Sequence, residues 1–531
     1  MSDDQTPRSN PAGAPPRNSA GLYVVNAASS VITTLLRMSA LVWVNQYLLR
    51  RVPPEEYALF PVIASLMVVA ELFPTVFLRG LARFMVEADA REDNRELTTI
   101  VSSMTLVLFA VAAVLLGAGI LAAIRIDDVI MVAPEQRSDA QIMLLLLLSV
   151  LCLRVATTPF RLGLHVRMRF VEQNLVLLAT EVLRIVLLLS LLLAVSTQVL
   201  WVAVALAVAN MVNVIIMIVY TVRILPDARF RVGCVSLATI RRLLGFSLWT
   251  MFQGFNNLVL KALPALLLNR HSSAVDVATF HVGSLADTQI RRLVVAASTP
   301  AKPALTTIYA TEGESALQSF YYRGGRYYLW AAMFLVPPLL VFAYPLIDLY
   351  VGERYLQAAT VMIVLLAAYP FTWASGMFYE IAYSVGRIRA FNICLLMLSV
   401  TALAGMWYFV VMRDMGAMGA ALGLGGAHVL VYLFIMWPTG LWLVKGAWSV
   451  FIRKTLVPGL APFATAVFAC LAYAQAFPID SWLGFFAGCG LSAVVYVFVL
   501  VAICLDDTDR KLMKRAGHKI RARLSGKRNT A

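Results

Sequence analysis

Two basic residues fall inside apolar segments that are long enough to cross a membrane. Arg37 lies near the middle of segment 21–49, and Lys261 lies in segment 243–268. Because a cation at bilayer depth is costly, each side chain should face a polar interior, where Arg and Lys bind anions such as phosphate. Two alternatives remain open: Arg37 pairs with Glu71, and the side chain of Lys261 extends from near the end of its segment to the outer surface.

An acidic residue lies in the second apolar segment, 57–84. This residue, Glu71, comes three positions before Pro74. A proline inside a helix leaves a backbone carbonyl without its amide partner, which favours a kink. Glu71 is therefore a candidate for a protonatable gate or a coupling-ion site, and equally a candidate for a structural partner of Arg37 or Arg79.

Three further charged residues lie within apolar segments. Arg154, in the inner half of segment 140–163, either meets an anionic substrate at an entrance or extends to the surface. Glu181 and Arg184 are at positions i and i+3 of one predicted helix. This spacing favours a local ion pair, and a role in a transport path is the alternative.

Two further acids are candidate gate residues: Asp287, with Arg291 one turn later, and Glu380, which lies near the inner end of its segment. No motif for a metal site or for catalysis accompanies them. The six Cys residues show no CxxC spacing, and the five His residues show no HxxxH or HExxH pattern. We therefore expect no metal, no cofactor and no enzymatic activity.

The composition predicts the elements that carry these residues. The chain has 531 residues, of which 60% are hydrophobic and 14% charged, with a mean hydropathy of +0.79. Its apolar runs of about 20 residues suit membrane helices and are too long for barrel strands. The predicted fold class is an all-α polytopic membrane protein with about fourteen transmembrane helices. The predicted spans are 21–49, 57–84, 98–124, 140–163, 171–194, 199–223, 243–268, 275–299, 325–350, 356–384, 389–412, 416–444, 455–476 and 481–505.

The distribution of charge predicts the orientation of the chain. With a cytoplasmic N-terminus, 31 of the 44 Lys and Arg residues fall on the cytoplasmic side, seven on the opposite side and six within spans. Because positive charge concentrates in cytoplasmic loops, both termini are predicted to be cytoplasmic. The net charge of +15 then reflects topology and attraction to anionic lipid, so no nucleic-acid partner is expected. Residues 1–20 are predicted to be a disordered tail, and residues 506–531 a basic tail that is either an amphipathic helix or solvated.

Five aromatic residues crowd the start of segment 325–350. Tyr and Trp are enriched where membrane helices reach the surface. The sequence therefore predicts an interfacial belt here. Stacking on a ligand deeper in a cavity is the alternative role for aromatic residues, and Trp249, Phe255, Trp373 and Tyr379 are equal candidates for it. The five residues are Tyr321, Tyr322, Tyr327, Tyr328 and Trp330.

A weak internal repeat has an offset of 220 residues. Glu56 aligns with Asp276, and two arginines after the fourth segment align with two after the tenth. Six helices per repeat keep both halves in one orientation, as in transporters that bind substrate between two repeats. We therefore predict an N-lobe at 21–223, a C-lobe at 224–444, and two further helices within 445–505.

Four short motifs occur in order along the chain. They read PEEYALF at 54–60, YVGERYLQAA at 350–359, SVGRIR at 384–389 and GAMGAA at 416–421. In this order and spacing they resemble the polysaccharide transport (Wzx-like) flippases of the multidrug/oligosaccharidyl-lipid/polysaccharide (MOP) exporter superfamily. The resemblance covers most of residues 21–505.

The resemblance implies a bacterial inner-membrane protein with two lobes around a central cavity. It implies alternating access and translocation of a polyprenyl-diphosphate-linked oligosaccharide to the periplasmic leaflet, for exopolysaccharide, lipopolysaccharide or O-antigen synthesis. The expected partners are this substrate, membrane lipid, and the polymerase and glycosyltransferases of the same pathway. On this interpretation Arg37, Lys261, Arg154 and Arg184 contact the diphosphate or glycan, and Glu71, Glu181, Asp287 and Glu380 act in gating or ion coupling.

Two other functions are alternatives. An antiporter of small drugs predicts acids rather than cations in the cavity, and the Arg and Lys residues within spans favour an anionic cargo. A membrane glycan polymerase or acyltransferase needs an outward loop with paired acids or with a nucleophile and a histidine. The outward loops are at most about 15 residues long and lack both features.

Overall fold

The computed structural model describes residues 39, 42–167, 169–247, 251–298, 314–506 and 509–510, and all regular structure in these ranges is helical. The predicted fold class, an all-α polytopic membrane protein, is confirmed. Arg37, residues 1–20 and residues 511–531 lie outside the described residues. We call the end of the bundle with residues 50–56 and 350–356 the outer end, and the opposite end, which carries residues 505–506, the inner end.

In the part of the chain before residue 225 that the structure describes, the end of one helix is followed by five long helices. α1 is described over residues 42–49, and Pro54, which has no amide hydrogen to leave unpaired, occupies the first turn of α2. The side chain of Asp93 accepts a hydrogen bond from the amide of Glu96 (2.8 Å) and thereby caps the next helix. The bounds are α2 Pro54–Ala90, α3 Asn94–Ile124, α4 Arg137–Ala156, α5 Phe170–Ala194 and α6 Leu200–Ile224.

A shorter helix, α7 (Leu237–Ser247), follows and packs against α2 and α3 at the inner end. Eight long helical elements come after it, several of them interrupted. Their bounds are α8 Met251–Asn257, Leu258–Ala262 and Leu263–His271; α9 Ala274–Ser298; α10 Glu314–Met333, Val336–Val341 and Ala343–Val351; α11 Gln357–Ser384; α12 Ile388–Met412; α13 Gly416–Leu443; α14 Trp448–Ala476; and α15 Trp482–Cys504.

Nine helices of the described chain are long and apolar enough to cross a membrane. They correspond to nine of the predicted spans, in α3 to α6 and α11 to α15. Predicted spans 57–84, 275–299 and 325–350 overlap α2, α9 and α10, and span 243–268 covers the end of α7 and most of α8. Helices α2, α8, α9 and α10 carry internal charges or breaks. The count of fourteen therefore stays a prediction.

The two halves of the chain share one hydrophobic core at the outer end. Tyr57 and Ile63 from the outer half of α2 belong to the same buried cluster as Val277 and Phe280 of α9. The inner half of α2 instead packs into a second core with α3, α4 and α7, which contains Leu81. In the described residues, α2 is thus joined to the second half of the chain mainly through its outer half.

The repeat of 220 residues has a structural counterpart. A carboxylate oxygen of Glu56, in the first turn of α2, accepts a hydrogen bond from the amide of Val199 (2.9 Å), immediately before α6. Asp276, in the first turn of α9, accepts one from the amide of Ala417 (2.9 Å) at the start of α13. A carboxylate beside a helix N-terminus is favourable in both places because it satisfies a free amide and opposes the helix dipole. This shared contact supports the repeat.

Two expectations at the inner end are wrong. The fourth helix stops at Ala156, short of residue 163, and continues as the tight turn Thr158–Arg161, in which Pro159 cannot donate a backbone hydrogen bond. α10 begins at Glu314, well before residue 325. As a result Tyr321, Tyr322 and Trp330 are buried among helices and do not form the predicted surface belt, while Tyr327 is 39% exposed.

Candidate functional site

Charged side chains from two helices of the first half and two of the second come near one another in the middle of the bundle. On the first side, Nη1 of Arg154 (α4) lies 3.9 Å from Oε1 of Glu71 (α2). On the second side, Lys261 (α8) is within electrostatic range of Glu71 and of two arginines on α9. We call this set the central charge cluster; its members are Glu71, Arg154, Lys261, Asp287, Arg291 and Arg292. With four cations and two acids, the cluster has a formal charge of +2.

The contact between Arg154 and Glu71 is loose. The two side chains are 39% and 49% exposed, and 3.9 Å is too long for a hydrogen bond. Exposed ion pairs of this kind contribute at most about 1 kcal/mol, because water or another ion replaces the partner at little cost. Arg154 is therefore available to an anion that enters the space between the helices.

Lys261 lies in a local distortion of α8. The five residues Leu258–Ala262 form a turn of π-helix, in which Val259 and Ala262 are buried and Lys261 is exposed. Pro264 follows immediately; it has no amide hydrogen, so the α-helical bond to residue 260 cannot form. Such single π turns are frequent at functional sites because they redirect one side chain without ending the helix.

Arg291 is held firmly in the second half of the chain. Its Nε donates to Asp287 one turn earlier on α9 (2.8 Å). Its guanidinium lies 5.3 Å from the ring centre of Tyr369 and 5.9 Å from that of Trp373, both on α11. The hydroxyl of Tyr369 donates to the backbone carbonyl of Asp287 (2.9 Å). Aromatic faces attract a cation when water is scarce, so this arrangement fixes one positive charge at the edge of the cluster.

A histidine that the sequence did not single out lies beside this pair. His428 on α13 is buried. Its Nδ1 donates a hydrogen bond to the carbonyl of Leu424 (2.8 Å), and its ring stacks on Tyr432 one turn later. Both rings are close enough to Arg291 to interact with its charge. The i, i+4 spacing of His428 and Tyr432 on a small-residue helix is the only local signal for this contact.

The other predicted site residues lie elsewhere. Arg184 donates to Glu181 within α5, and both side chains are largely buried, so this pair is the local contact that the spacing favoured. Glu380 is buried in α11, and its backbone carbonyl accepts a hydrogen bond from Ser384 (2.8 Å). Arg37 lies outside the described residues. Of Arg79 only the backbone, within α2, is described.

At the outer end, polar contacts join the two halves of the chain. Arg50 donates to the carbonyls of Leu349 (2.7 Å) and Tyr350 (3.1 Å) at the end of α10. The hydroxyl of Tyr350 donates to the carbonyl of Val42 on α1 (2.6 Å). The side chain of Asn269 on α8 exchanges two hydrogen bonds with the backbone of Met131. The space around the central charge cluster is therefore closed at this end.

Comparisons with known proteins bear on the family and the fold of the chain. Residues 24–308 match the family model described as "Polysaccharide biosynthesis protein". No curated protein sequence matches the chain. Among solved structures, lipid II flippase MurJ in an inward closed conformation has a TM-score of 0.65 at 13% identity, and the match covers 92% of this chain and 100% of MurJ. An inward-facing multidrug resistance MATE family transporter of the MOP superfamily has a TM-score of 0.63 at 13% identity, with 81% and 99% covered.

The fold and the charged space between its two halves define a multi-pass membrane protein with the architecture of MOP superfamily transporters. The family match spans more than half of the chain. The chain therefore belongs to the polysaccharide biosynthesis protein family, and the resemblance to Wzx-like flippases that its motifs indicated is confirmed. The two solved structures named above that share this fold are a flippase and a transporter.

Proposed function

We propose that this protein carries a polyprenyl-diphosphate-linked oligosaccharide from the cytoplasmic to the periplasmic leaflet of a bacterial inner membrane. Both termini are then cytoplasmic, and the outer end faces the periplasm. The observation that carries the proposal is the central charge cluster, which has an excess of two positive charges between the two halves of a polysaccharide-family fold. Glycosyltransferases supply the substrate on one side, and a polymerase or ligase uses it on the other.

The cluster suits a diphosphate because its two acids are too few to neutralise four cations, and because Glu71 is only loosely bound to Arg154. Arg154 and Lys261 are exposed to the space between the helices, whereas Arg291 is anchored by Asp287. Charge-assisted hydrogen bonds from Arg and Lys to phosphate oxygens are among the strongest that a protein makes. The diphosphate displaces Glu71 from Arg154, and the apolar chain of the carrier stays in the lipid.

The displacement of Glu71 offers a way to couple substrate binding to the uptake of a proton or a cation. A carboxylate that loses its cationic partner takes up a proton or a cation more readily. Binding of substrate at Arg154 and Lys261 would then favour binding of a proton or a cation to Glu71. Release of the substrate would favour release of that proton or cation. Rocking of the proposed lobes, 21–223 and 224–444, exposes the cluster to each side in turn. Arg37 remains a proposed further contact.

Export of small organic cations is the second candidate function. Glu71 and Asp287 are acids of the type that such export uses, and the fold is shared with multidrug transporters. The formal charge of the cluster argues against it, because a positive site repels a cationic drug.

Reconstituted proteoliposomes test the proposal. Translocation of a fluorescent polyprenyl-diphosphate oligosaccharide is followed by an external quencher. We expect Arg154→Gln and Lys261→Gln each to slow flipping roughly 10-fold or more, since a hydrogen bond to a charged group is worth about 1.5–3 kcal/mol. Lys261→Arg should retain most of the rate.

The matched control is Arg413→Gln, which removes one exposed positive charge between α12 and α13 at the outer end. It should flip lipid at the wild-type rate. If the Arg154 and Lys261 variants flip as fast as this control, the diphosphate does not bind at the cluster. Proteoliposomes that are inactive with the lipid but export a cationic dye in exchange for protons would support the second candidate.

A further inference from the structure

A cavity of about 600 Å³ lies at the inner end between α10, α14 and α15. It is separate from the helices that carry the central charge cluster, which are α2, α4, α8 and α9. Its polar lining consists mainly of charged groups at the first turns of α14 and the end of α15. The lining residues include Arg326, Ser449, Arg453, Lys454, Ile503 and Asp506.

One of the lining cations is already neutralised. Arg326 is only 2% exposed, and its guanidinium donates to Asp509 (2.6 Å) and to Asp506 (2.8 Å). Arg453 and Lys454 are both exposed, one after the other in the turn that starts α14. The cavity therefore presents two positive charges and the hydroxyl of Ser449 to a ligand. Arg326 also lines the cavity, but its charge is balanced by the two acids that it binds.

Exposed apolar side chains lie on the two helices that carry most of the cavity lining. Ile503, which lines the cavity, is 71% exposed. Ile452 and Val457, which precede and follow Arg453 and Lys454 in α14, are 47% and 61% exposed. All three belong to membrane helices, where exposed apolar residues face hydrocarbon. A ligand that fits both features has an anionic head at the level of Arg453 and acyl chains that run along α14 and α15.

The sequence after α15 draws such ligands to this end of the bundle. Residues 510–531 contain nine Lys and Arg residues and no acid. A basic segment next to a membrane helix attracts anionic lipid, by about 1 kcal/mol for each basic residue near the surface. Anionic lipid is thus concentrated where the cavity opens.

We propose that this cavity binds the headgroup phosphate of an anionic phospholipid, with Arg453 and Lys454 as the phosphate ligands and Ser449 as an additional donor. The lipid is a resident of the membrane and not the transported cargo, because the site involves neither Arg154 nor Lys261. On the orientation proposed above it belongs to the cytoplasmic leaflet. A lipid bound in this cavity stabilises the packing of α14 and α15 against α10.

Thermal unfolding of the purified full-length protein in a neutral detergent tests this site. The probes are phosphatidylglycerol, phosphatidylcholine and soluble glycerol 3-phosphate, each added separately. We expect phosphatidylglycerol to raise the Tm of the wild-type protein by several degrees in a saturable manner, and the other two probes to have little effect. Arg453→Gln with Lys454→Gln should abolish most of the rise.

Two further double variants test whether the rise in Tm depends on the position and the charge of Arg453 and Lys454. Arg223→Gln with Arg231→Gln removes two exposed charges from the same end of the molecule, and this protein should respond to phosphatidylglycerol as the wild type does. Arg453→Lys with Lys454→Arg keeps the charges and should keep the response. An equal response in the Arg453 and Lys454 double Gln variant would overturn the proposal. An equal rise with glycerol 3-phosphate would show a free phosphate site instead of a lipid site. Because no translocation is measured, failure of the transport proposal leaves these outcomes unchanged.

Discussion

The two most informative ion pairs of this protein differ in burial. Arg154 and Glu71 are each more than a third exposed and 3.9 Å apart. Arg326 and Asp509 are 2% and 3% exposed and 2.6 Å apart. An exposed pair exchanges partners easily, whereas a buried pair that loses one member leaves a charge in a medium that cannot solvate it. The first pair therefore suits reversible binding of a substrate. The second suits a permanent contact between α10 and the residues that follow α15.

Removal of Asp509 should destabilise the inner end strongly. We expect Asp509→Ala to lower the free energy of unfolding by about 3–5 kcal/mol, because Arg326 then keeps a buried positive charge with only the partly exposed Asp506 as partner. The measurement is thermal unfolding in detergent. The exposed pair Arg91 and Glu87 is the control, and Glu87→Ala should cost about 1 kcal/mol or less. Equal losses in the two variants would contradict the structural role of Asp509.

The same carboxylate predicts a dependence on pH. Burial alone would raise the pKa of Asp509, but the hydrogen bond from Tyr327 and the charge of Arg326 outweigh it and lower the pKa below the ordinary value of 3.8. A lowered pKa means that the contact is fully stabilising above about pH 4 and is lost as the pH falls further. Between pH 7 and pH 3 the Tm of the wild type should fall more than that of Asp509→Asn. Parallel curves would exclude this contribution.

Close helix contacts in the second half of the chain depend on glycine. A Cβ atom added at Gly423 of α13 would lie 2.4 Å from the amide nitrogen of Met406 on α12, and backbone atoms there cannot move aside. The helices thus touch through their backbones, which in membranes replaces the hydrophobic effect as a source of helix association. α13 also carries His428 and Tyr432, which stack on each other and are within electrostatic range of Arg291.

A glycine on the same helix supplies a matched comparison. Gly423→Ala should lower the free energy of unfolding by about 1–3 kcal/mol through overpacking. Gly426→Ala, where an added Cβ meets nothing within 4 Å, should be neutral or slightly stabilising, since alanine is the better helix former. Thermal unfolding of both variants is the test. A Gly423→Ala protein as stable as Gly426→Ala would show that the helices can separate without cost.

In the molecule as a whole, the two halves meet at the outer end through a shared apolar core and a few hydrogen bonds. Arg50, Tyr350 and Asn269 supply the polar contacts. Toward the inner end, the described part of α2 packs into a separate core with α3, α4 and α7. These contacts hold the two halves together at the outer end of the described chain.

Loss of Arg50 should shift the molecule toward outer opening. Arg50→Ala removes two hydrogen bonds to Leu349 and Tyr350, each worth about 0.5–1.5 kcal/mol, so the closed to open ratio should fall roughly 5- to 100-fold. Spin labels on the loops before α2 and after α10 report the change as a longer distance in pulsed electron resonance. Arg413→Ala, an exposed arginine at the same end, should leave the distances unchanged. Unchanged distances in Arg50→Ala would mean that the apolar core alone keeps this end closed.

The sequence by itself determined that the protein is an all-α membrane protein and which superfamily it belongs to. Hydropathy and short motifs are local properties of the chain, so the apolar runs of α3 to α6 and α11 to α15 could be recognised without tertiary contacts. The pairing of Glu181 with Arg184 was equally local, since three residues separate them on one helix.

Only the tertiary structure decided which distant charges meet. Lys261 lies near Glu71, 190 residues earlier, because α8 packs against α2, and Arg326 binds Asp509, 183 residues later, because α10 packs near the end of α15. The burial of Tyr321 and Tyr322 also depended on the early start of α10, which hydropathy does not mark. Sequence patterns report the environment along one helix, whereas a charged or aromatic side chain responds to what neighbouring helices place opposite it.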